Sequence, residues 1–174
     1  MSLHIIIDGY NLIRQSHQFS PIDAIDLTAG RDALIDSLAA YKRVRSHRIT
    51  VVFDGTHASV AVANKDRLKG IDIRYSDPGE LADTVIKRMV DREEHRAMVV
   101  TSDREVLDYA EKRGAATIKS SGFENKMMLA QYDDIKGINL ESESKEWSPT
   151  TKKKGPARRL SKRKRRGKAR INKL

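Results

Sequence analysis

The chain of 174 residues has room for one domain and a modest appendage. It contains no cysteine, which excludes disulfides, thiolate catalysis and cysteine-bound zinc or iron–sulfur centres. The net charge of +10 is unevenly spread: from Lys152 onward there are 13 Lys or Arg and no acid, leaving 21 basic against 24 acidic side chains before it.

The first predicted element is a short strand over residues 3–7, an Ile-rich run suited to a parallel strand covered on both faces. It is followed by Asp8-Gly9-Tyr10-Asn11. From about Thr28 to Arg45, Leu34, Ile35, Leu38 and Tyr41 recur at helical spacing, with Thr28 as the expected cap. Residues 49–53 form the next core strand and again run into Asp-Gly, at Asp54-Gly55. The stretch 56–67 is ambiguous between loop and short helix. Residues 71–75 alternate as a more peripheral strand does, and Asp77-Pro78-Gly79 marks a turn. Glu80–Glu94 reads as a helix with Leu81, Ala82, Val85, Ile86 and Met89 on its apolar face and Glu80, Asp83 and Lys87 on another side. Residues 97–101 are a third core strand, and Ser102 or Asp103 caps a helix over 104–113 that Gly114 stops. A short strand over 115–118 and a small helix over 122–131 complete the body.

Strands alternating with helices predict an α/β fold, a three-layer sandwich with a mostly parallel central sheet. The domain is expected over residues 1–137 and a linker or anchor carrying Trp147-Ser148-Pro149 over 138–151. A basic tail with almost nothing apolar to bury, expected to be disordered, spans 152–174. No run nears the ~20 apolar residues that cross a bilayer. The N-terminus enters Ile5–Ile7 without a basic lead and long apolar core, so no signal peptide is expected and the predicted location is the cytoplasm.

Asp8, Asp54 and Asp103 each follow a core strand, and a parallel sheet brings such strand ends to one edge, where ligands of α/β sheets bind. Glu80 and Asp83 enter a helix that can reach the same rim. Carboxylates gathered this way raise one another's pKa unless a cation is present, and a hard ion such as Mg²⁺ or Mn²⁺ relieves that repulsion. Asn11 offers a neutral oxygen or a donor to orient a ligand. Each acid also has an ordinary structural reading. An aspartate after a strand tidies a turn, Asp103 caps a helix, Glu80 complements a helix dipole, and Asp83 is a solvated acid. No histidine pair has zinc spacing, Ser102 lacks a nucleophile-elbow setting, and no dinucleotide or P-loop glycine pattern occurs.

The segments IIIDGYNLI, ITVVFDG, GELADTVIKRM and VVTSDREV, over about residues 3–132, resemble the YacP-like group of NYN-domain proteins, relatives of the PIN-domain nucleases. The resemblance implies a PIN-like fold and a metal-dependent endoribonuclease, in one bacterial branch acting on mRNA at the ribosome. Asp8 then corresponds to the first metal-binding acid and Asn11 to its supporting amide. Asp54, Glu80, Asp83 and Asp103 correspond to the remaining acids, with Ser102 beside the last. Arg31 matches a basic residue that contacts phosphate, or else a solvated position. The basic tail lies outside the pattern carrying the resemblance.

The mechanism expected on this footing is hydrolysis of RNA phosphodiesters by metal-activated water. Asp8, Asp83 and Asp103 would hold Mg²⁺ or Mn²⁺, in one or two ions, and Asp54 or Glu80 would complete the shell or orient water. The resemblance implies products with 5′-phosphate and 3′-hydroxyl ends. The tail's Lys152, Lys153, Lys154, Arg158, Arg159, Lys162, Arg163, Lys164, Arg165, Arg166, Lys168 and Arg170 would engage RNA phosphates, tethering rather than choosing the cleavage site. The alternatives are a non-catalytic RNA- or ribosome-binding module of the same fold and, more remotely, a small-molecule phosphatase. The latter lacks the D-x-D nucleophile pattern at Asp8.

Overall fold

The computed structural model describes residues 3–55, 65–136 and 162–174. In chain order the elements are β1 (His4–Asp8), α1 (Gly9–Gln15), α2 (Ser20–Asp23), α3 (Leu27–Val44), β2 (Arg48–Phe53), β3 (Lys65–Leu68) and β4 (Ile71–Tyr75). They continue with α4 (Ala82–Glu93), a 3₁₀ turn (Glu94–Arg96), β5 (Ala97–Val100), α5 (Arg104–Lys112), β6 (Ala116–Ile118), α6 (Ser120–Lys136) and α7 (Lys162–Ile171).

The strands form one six-stranded sheet of order β3-β4-β2-β1-β5-β6. All neighbours are parallel except β3, which runs antiparallel to β4 at one edge. The chain builds outward from β1 through β2 and β4, then returns to the other side of β1 with β5 and β6. Strand order therefore reverses beside β1, and the crevice beyond its carboxyl end is where such sheets bind ligands.

Alternation along the strands separates two cores. Ile5, Ile7, Val51, Phe53, Met98 and Val100 pack with Leu12 and Ile13 of α1, Leu34, Leu38 and Tyr41 of α3, and Phe123 and Met127 of α6. Ile6, Val52, Ala97 and Val99 face the other way, towards Val85, Ile86, Met89 and Val90 of α4 and Val106 and Ala110 of α5. The result is the expected three-layer α/β sandwich with a mostly parallel sheet.

Several local expectations are corrected. The cap of α3 is Asp26, whose Oδ1 accepts the Thr28 N–H at 2.7 Å, so Thr28 lies inside the first turn. The stretch after β1, to which the sequence assigned no element, opens α1 directly; this helix buries Leu12 and Ile13 and is capped by the Asp8 carboxylate. The edge strand β3, reading KDRL, is exposed throughout, so it carries no apolar alternation to predict it. The last body helix is longer than expected, at Ser120–Lys136.

The basic end departs most from expectation, because Lys162–Ile171 is helical rather than disordered. Lys and Arg are good helix formers, and the few groups that can anchor the segment do so. Ile171 packs against the core and Leu174 is 4 % exposed. The Tyr41 hydroxyl donates to the Leu174 carbonyl at 3.0 Å, and the Arg170 guanidinium donates to the Gly114 carbonyl at 3.2 Å. Helix α7 packs on β6, covering the sheet's parallel edge. The expected anchor at 138–151 and the basic residues Lys152, Lys153, Lys154, Arg158 and Arg159 lie outside the described residues. Among the described residues, no helix is long and apolar enough to cross a membrane.

Candidate active site

Asp8 is the last residue of β1 and is 9 % exposed. Its Oδ1 accepts the Asn11 N–H at 3.2 Å, and its Oδ2 accepts the Thr101 hydroxyl at 3.1 Å. Thr101 follows β5, so two neighbouring strand ends are tied across the crevice. The same Thr101 oxygen accepts the Asp103 N–H at 3.1 Å.

Asn11 closes the other side. Its Oδ1 accepts both the Ser102 N–H and the Ser120 hydroxyl at 2.8 Å, joining α1 to the β5–α5 loop and the start of α6. A backbone N–H can only donate, so the atom it meets is the amide oxygen. The Nδ2 group is what remains for a ligand. Ser102 Oγ donates to Gln15 Oε1 at 2.6 Å, which completes this clamp.

The glycines after Asp8 and Asp54 have packing reasons. A Cβ on Gly9 would stand 2.3 Å from the Phe53 ring, and one on Gly55 would stand 2.0 Å from the Ser76 carbonyl oxygen. Ser76 also accepts the Gly55 N–H on its hydroxyl at 2.9 Å and donates its own N–H to the Phe53 carbonyl at 3.0 Å. Asp54 is thus held between two fixed points at the end of β2.

A cleft of about 480 Å³ opens at this edge, lined by Asp8, Asn11, Asp54 and Asp83 together with Tyr10, Arg14, Gln15, Leu81 and Ala82. Three of the predicted acids, from β1, the end of β2 and the first turn of α4, therefore share one cavity. Burial pushes the Asp8 carboxyl up to about 6; hydrogen bonds from Asn11 and Thr101 oppose this, and Asp83 and Asp103 add to the rise. Burial also raises Asp83, helped by Asp103, Glu105 and Asp54 and opposed by Lys87.

Two predicted acids stand apart. Glu80 does not line the cleft but pairs with Arg88, Oε2 to Nη2 at 2.9 Å. The E-x-x-D spacing would bring Glu80 beside Asp83 only on a helix. The chain is extended at Leu81, and α4 begins at Ala82. Asp103 is exposed and also lies outside the cleft lining; its Oδ1 caps α5, accepting from Glu105 N–H at 2.7 Å and Val106 N–H at 3.2 Å. It acts on Asp8 and Asp83 through charge. Arg31 likewise lies outside the lining, with Nη2 donating to Thr28 Oγ1 at 3.1 Å. On α7, Arg165, Arg166 and Lys168 are exposed, whereas Arg170 is half-buried and bound to Gly114, which makes it an anchor.

Sequence reasoning missed Arg14 and Gln15. They share a helical face with Asn11 at spacings of three and four, a signal readable only once residues 9–15 are recognised as α1.

The divalent ion implied by the resemblance can be tested against these groups. Among the described residues, no three acidic or histidine side chains stand close enough to hold one ion together. The donors fit a hard cation in chemistry, being carboxylate oxygens whose ionisation burial and mutual repulsion oppose. Mg²⁺ needs only one or two protein carboxylates and keeps several waters. Asp8 and Asp83 are two carboxylates that line the same cleft.

Comparisons with known proteins agree with this architecture. Two crystal structures of Rae1 (YacP) from Bacillus subtilis are similar in fold. One, a single-residue variant, has a TM-score of 0.64 at 20% identity over 76% of this chain and 79% of that one. The other has a TM-score of 0.62 at 22% identity over 79% and 80%. A curated Bacillus subtilis (strain 168) protein described as "Uncharacterized protein YacP" is 28% identical over 85 residues. That alignment covers 49% of this chain and 49% of the relative, so the chain spans about half the length of the curated relative it matches. The pattern of the YacP-like NYN domain extends over residues 5–172, which brings the basic end inside the family pattern rather than beyond it. By that match over nearly its whole length, the chain belongs to the YacP-like NYN domain family.

Proposed function

We propose that the protein is a divalent-metal-dependent endoribonuclease that hydrolyses RNA phosphodiesters at the cleft beside β1, with mRNA associated with the ribosome in the cytoplasm as its substrate. Family membership suggests a nuclease or RNA-related role. The observation that carries the specific reading is that Asp8, Asp54 and Asp83, from three separate elements, line one cleft at the carboxyl edge of a parallel sheet.

Asp8 and Asp83 would hold Mg²⁺ or Mn²⁺, with Asp103 adding negative charge from the rim. Bound there, the ion supplies Lewis-acid chemistry, acidifying water and neutralising charge on the phosphate. Thr101 fixes the Asp8 carboxylate. Asp54 is the acid left to orient the attacking water and accept its proton. Asn11 Nδ2 donates to a substrate oxygen. Exposed Arg165, Arg166 and Lys168 on α7 bind RNA backbone. Engaging these three exposed cations alone gives a slope of about −2 to −3 in log K against log salt.

The absence of a ready three-acid cluster among the described residues favours a second reading, a non-catalytic RNA- or ribosome-binding module. One experiment separates the two. Purified protein is incubated with RNA alone and with programmed ribosomes, in Mg²⁺, Mn²⁺ or EDTA. The nuclease reading expects divalent-dependent cleavage that falls by about 10²-fold or more in Asp8→Asn and Asp83→Asn. No cleavage with any divalent ion leaves only the binding module, and cleavage unchanged in both folded variants moves the chemistry away from this cleft.

A further inference from the structure

The cleft holds one cation among its described lining residues, Arg14, and three aspartates share the cavity with it. Among the described residues its guanidinium is ion-paired to no carboxylate. It lies instead over the Tyr10 ring, 5.5 Å from the centroid. Tyr10 is set edge-on against Phe53 at 5.1 Å, Phe53 stacks on Tyr75 at 5.9 Å, and Arg31 lies over Tyr75 at 5.9 Å. Five side chains thus form one row along the carboxyl edge of β1, β2 and β4, with an arginine at each end.

This row has a chemical consequence. A guanidinium near an aromatic face is attracted by the ring's quadrupole, which does not occupy its N–H edges as a carboxylate would and leaves them to another partner. Those edges match two oxygens of a phosphodiester, and arginine makes that contact as a fork rather than as a point charge. An RNA strand that sends one phosphate among three aspartates meets repulsion there, and a fixed cation at the cleft wall offsets it on the neighbouring phosphate. Asn11, Arg14 and Gln15 share one helical face, so α1 carries a ready edge of donors beside the acids.

We propose that Arg14 forms a phosphate subsite for the linkage flanking the scissile bond, with the aromatic row holding its guanidinium in place and Arg31 marking the continuation of the strand's path. The inference rests on the RNA reading above but not on cleavage.

The test uses the full chain carrying Asp8→Asn, a 5′-fluorescein single-stranded RNA and fluorescence anisotropy in EDTA across a salt series. Adding Arg14→Ala should weaken binding about tenfold and flatten the log–log salt slope by about 0.7, one single-strand phosphate contact. Arg14→Lys should recover only part of the loss, because the fork is gone. Replacing RNA linkages one at a time with neutral methylphosphonate should reveal one position that weakens Asp8→Asn and leaves Asp8→Asn/Arg14→Ala unaffected. Equal affinity and slope with and without Arg14, or the same methylphosphonate penalty in both chains, overturns the subsite. Failure of the nuclease reading shows elsewhere, as wild-type protein that never cleaves RNA, so the two outcomes stay distinguishable.

Discussion

The Thr101 hydroxyl reaches across from β5 and donates to Asp8 Oδ2 at 3.1 Å. Thr101 is fully buried, and the same oxygen accepts the Asp103 N–H. Thr101→Val keeps the branched shape and removes both contacts. The variant should lose about 1–3 kcal/mol of stability, seen as a drop of several degrees in Tm. In EDTA the Asp8 carboxyl of the variant, followed by NMR, should titrate at higher pH than in wild type, because the hydrogen bond that favours its ionised form is gone. An unmoved titration would show that Thr101 does not tune Asp8.

Asp8 itself sets a pH dependence for the metal-free protein. Its folded pKa of about 6 lies above the ordinary 3.8, so between those values the folded chain holds a proton that the unfolded chain has released. Stability in EDTA therefore falls as pH rises from about 4 to 6, and the cost is complete above that window. Asp8→Asn removes the charge and keeps the shape. It should exceed wild type by up to about 3 kcal/mol at pH 7.5, with the advantage gone below pH 4. Denaturant melts at the two pH values decide the matter, and equal stability at pH 7.5 refutes it.

Gly55 has no room for a side chain beneath the Ser76 carbonyl. Gly55→Ala should force the loop after β2 outward and cost about 1–3 kcal/mol or more, displacing Asp54 with it. Both Tm and RNA cleavage should fall. An alanine variant that melts with wild type would mean that the backbone yields there at no cost.

The two sides of α7 should respond differently. Arg165→Glu/Arg166→Glu/Lys168→Glu should weaken RNA binding and flatten its salt dependence while leaving Tm in place, since these side chains are exposed. Leu174→Ala should lower stability by about 2–5 kcal/mol, since Leu174 is buried beside Tyr41. Loss of RNA affinity only in the leucine variant would reverse the assignment.

The acidic edge was legible because two apolar strand runs lead directly into aspartate, at Asp8 and Asp54, and parallel strands bring such ends together. Asp8 and Asp54 line the cleft for that reason. Asp83 was reached through its place at a helix entrance. Glu80 stands outside the cleft lining because a three-residue spacing implies a shared face only after the helix has begun, and α4 begins at Ala82. Arg14 was hidden because α1 is seven residues long and starts with Gly-Tyr-Asn, which reads as a turn. The order in the basic end was hidden for another reason. Composition speaks of average burial, whereas Ile171, Leu174 and Arg170 anchor the segment through contacts with distant residues.

The location of β1 in the middle of the sheet has a consequence for synthesis. Asp8 and Asn11 leave the ribosome well before the hydroxyl and amide groups that hold them, which come from Thr101, Ser102 and Ser120. Domains fold as units during translation, so a half-made chain carries the acids without the frame that aims them. The hydrogen-bonded frame of this edge is complete only once the second half of the sheet has closed against the first, late in the protein's own production.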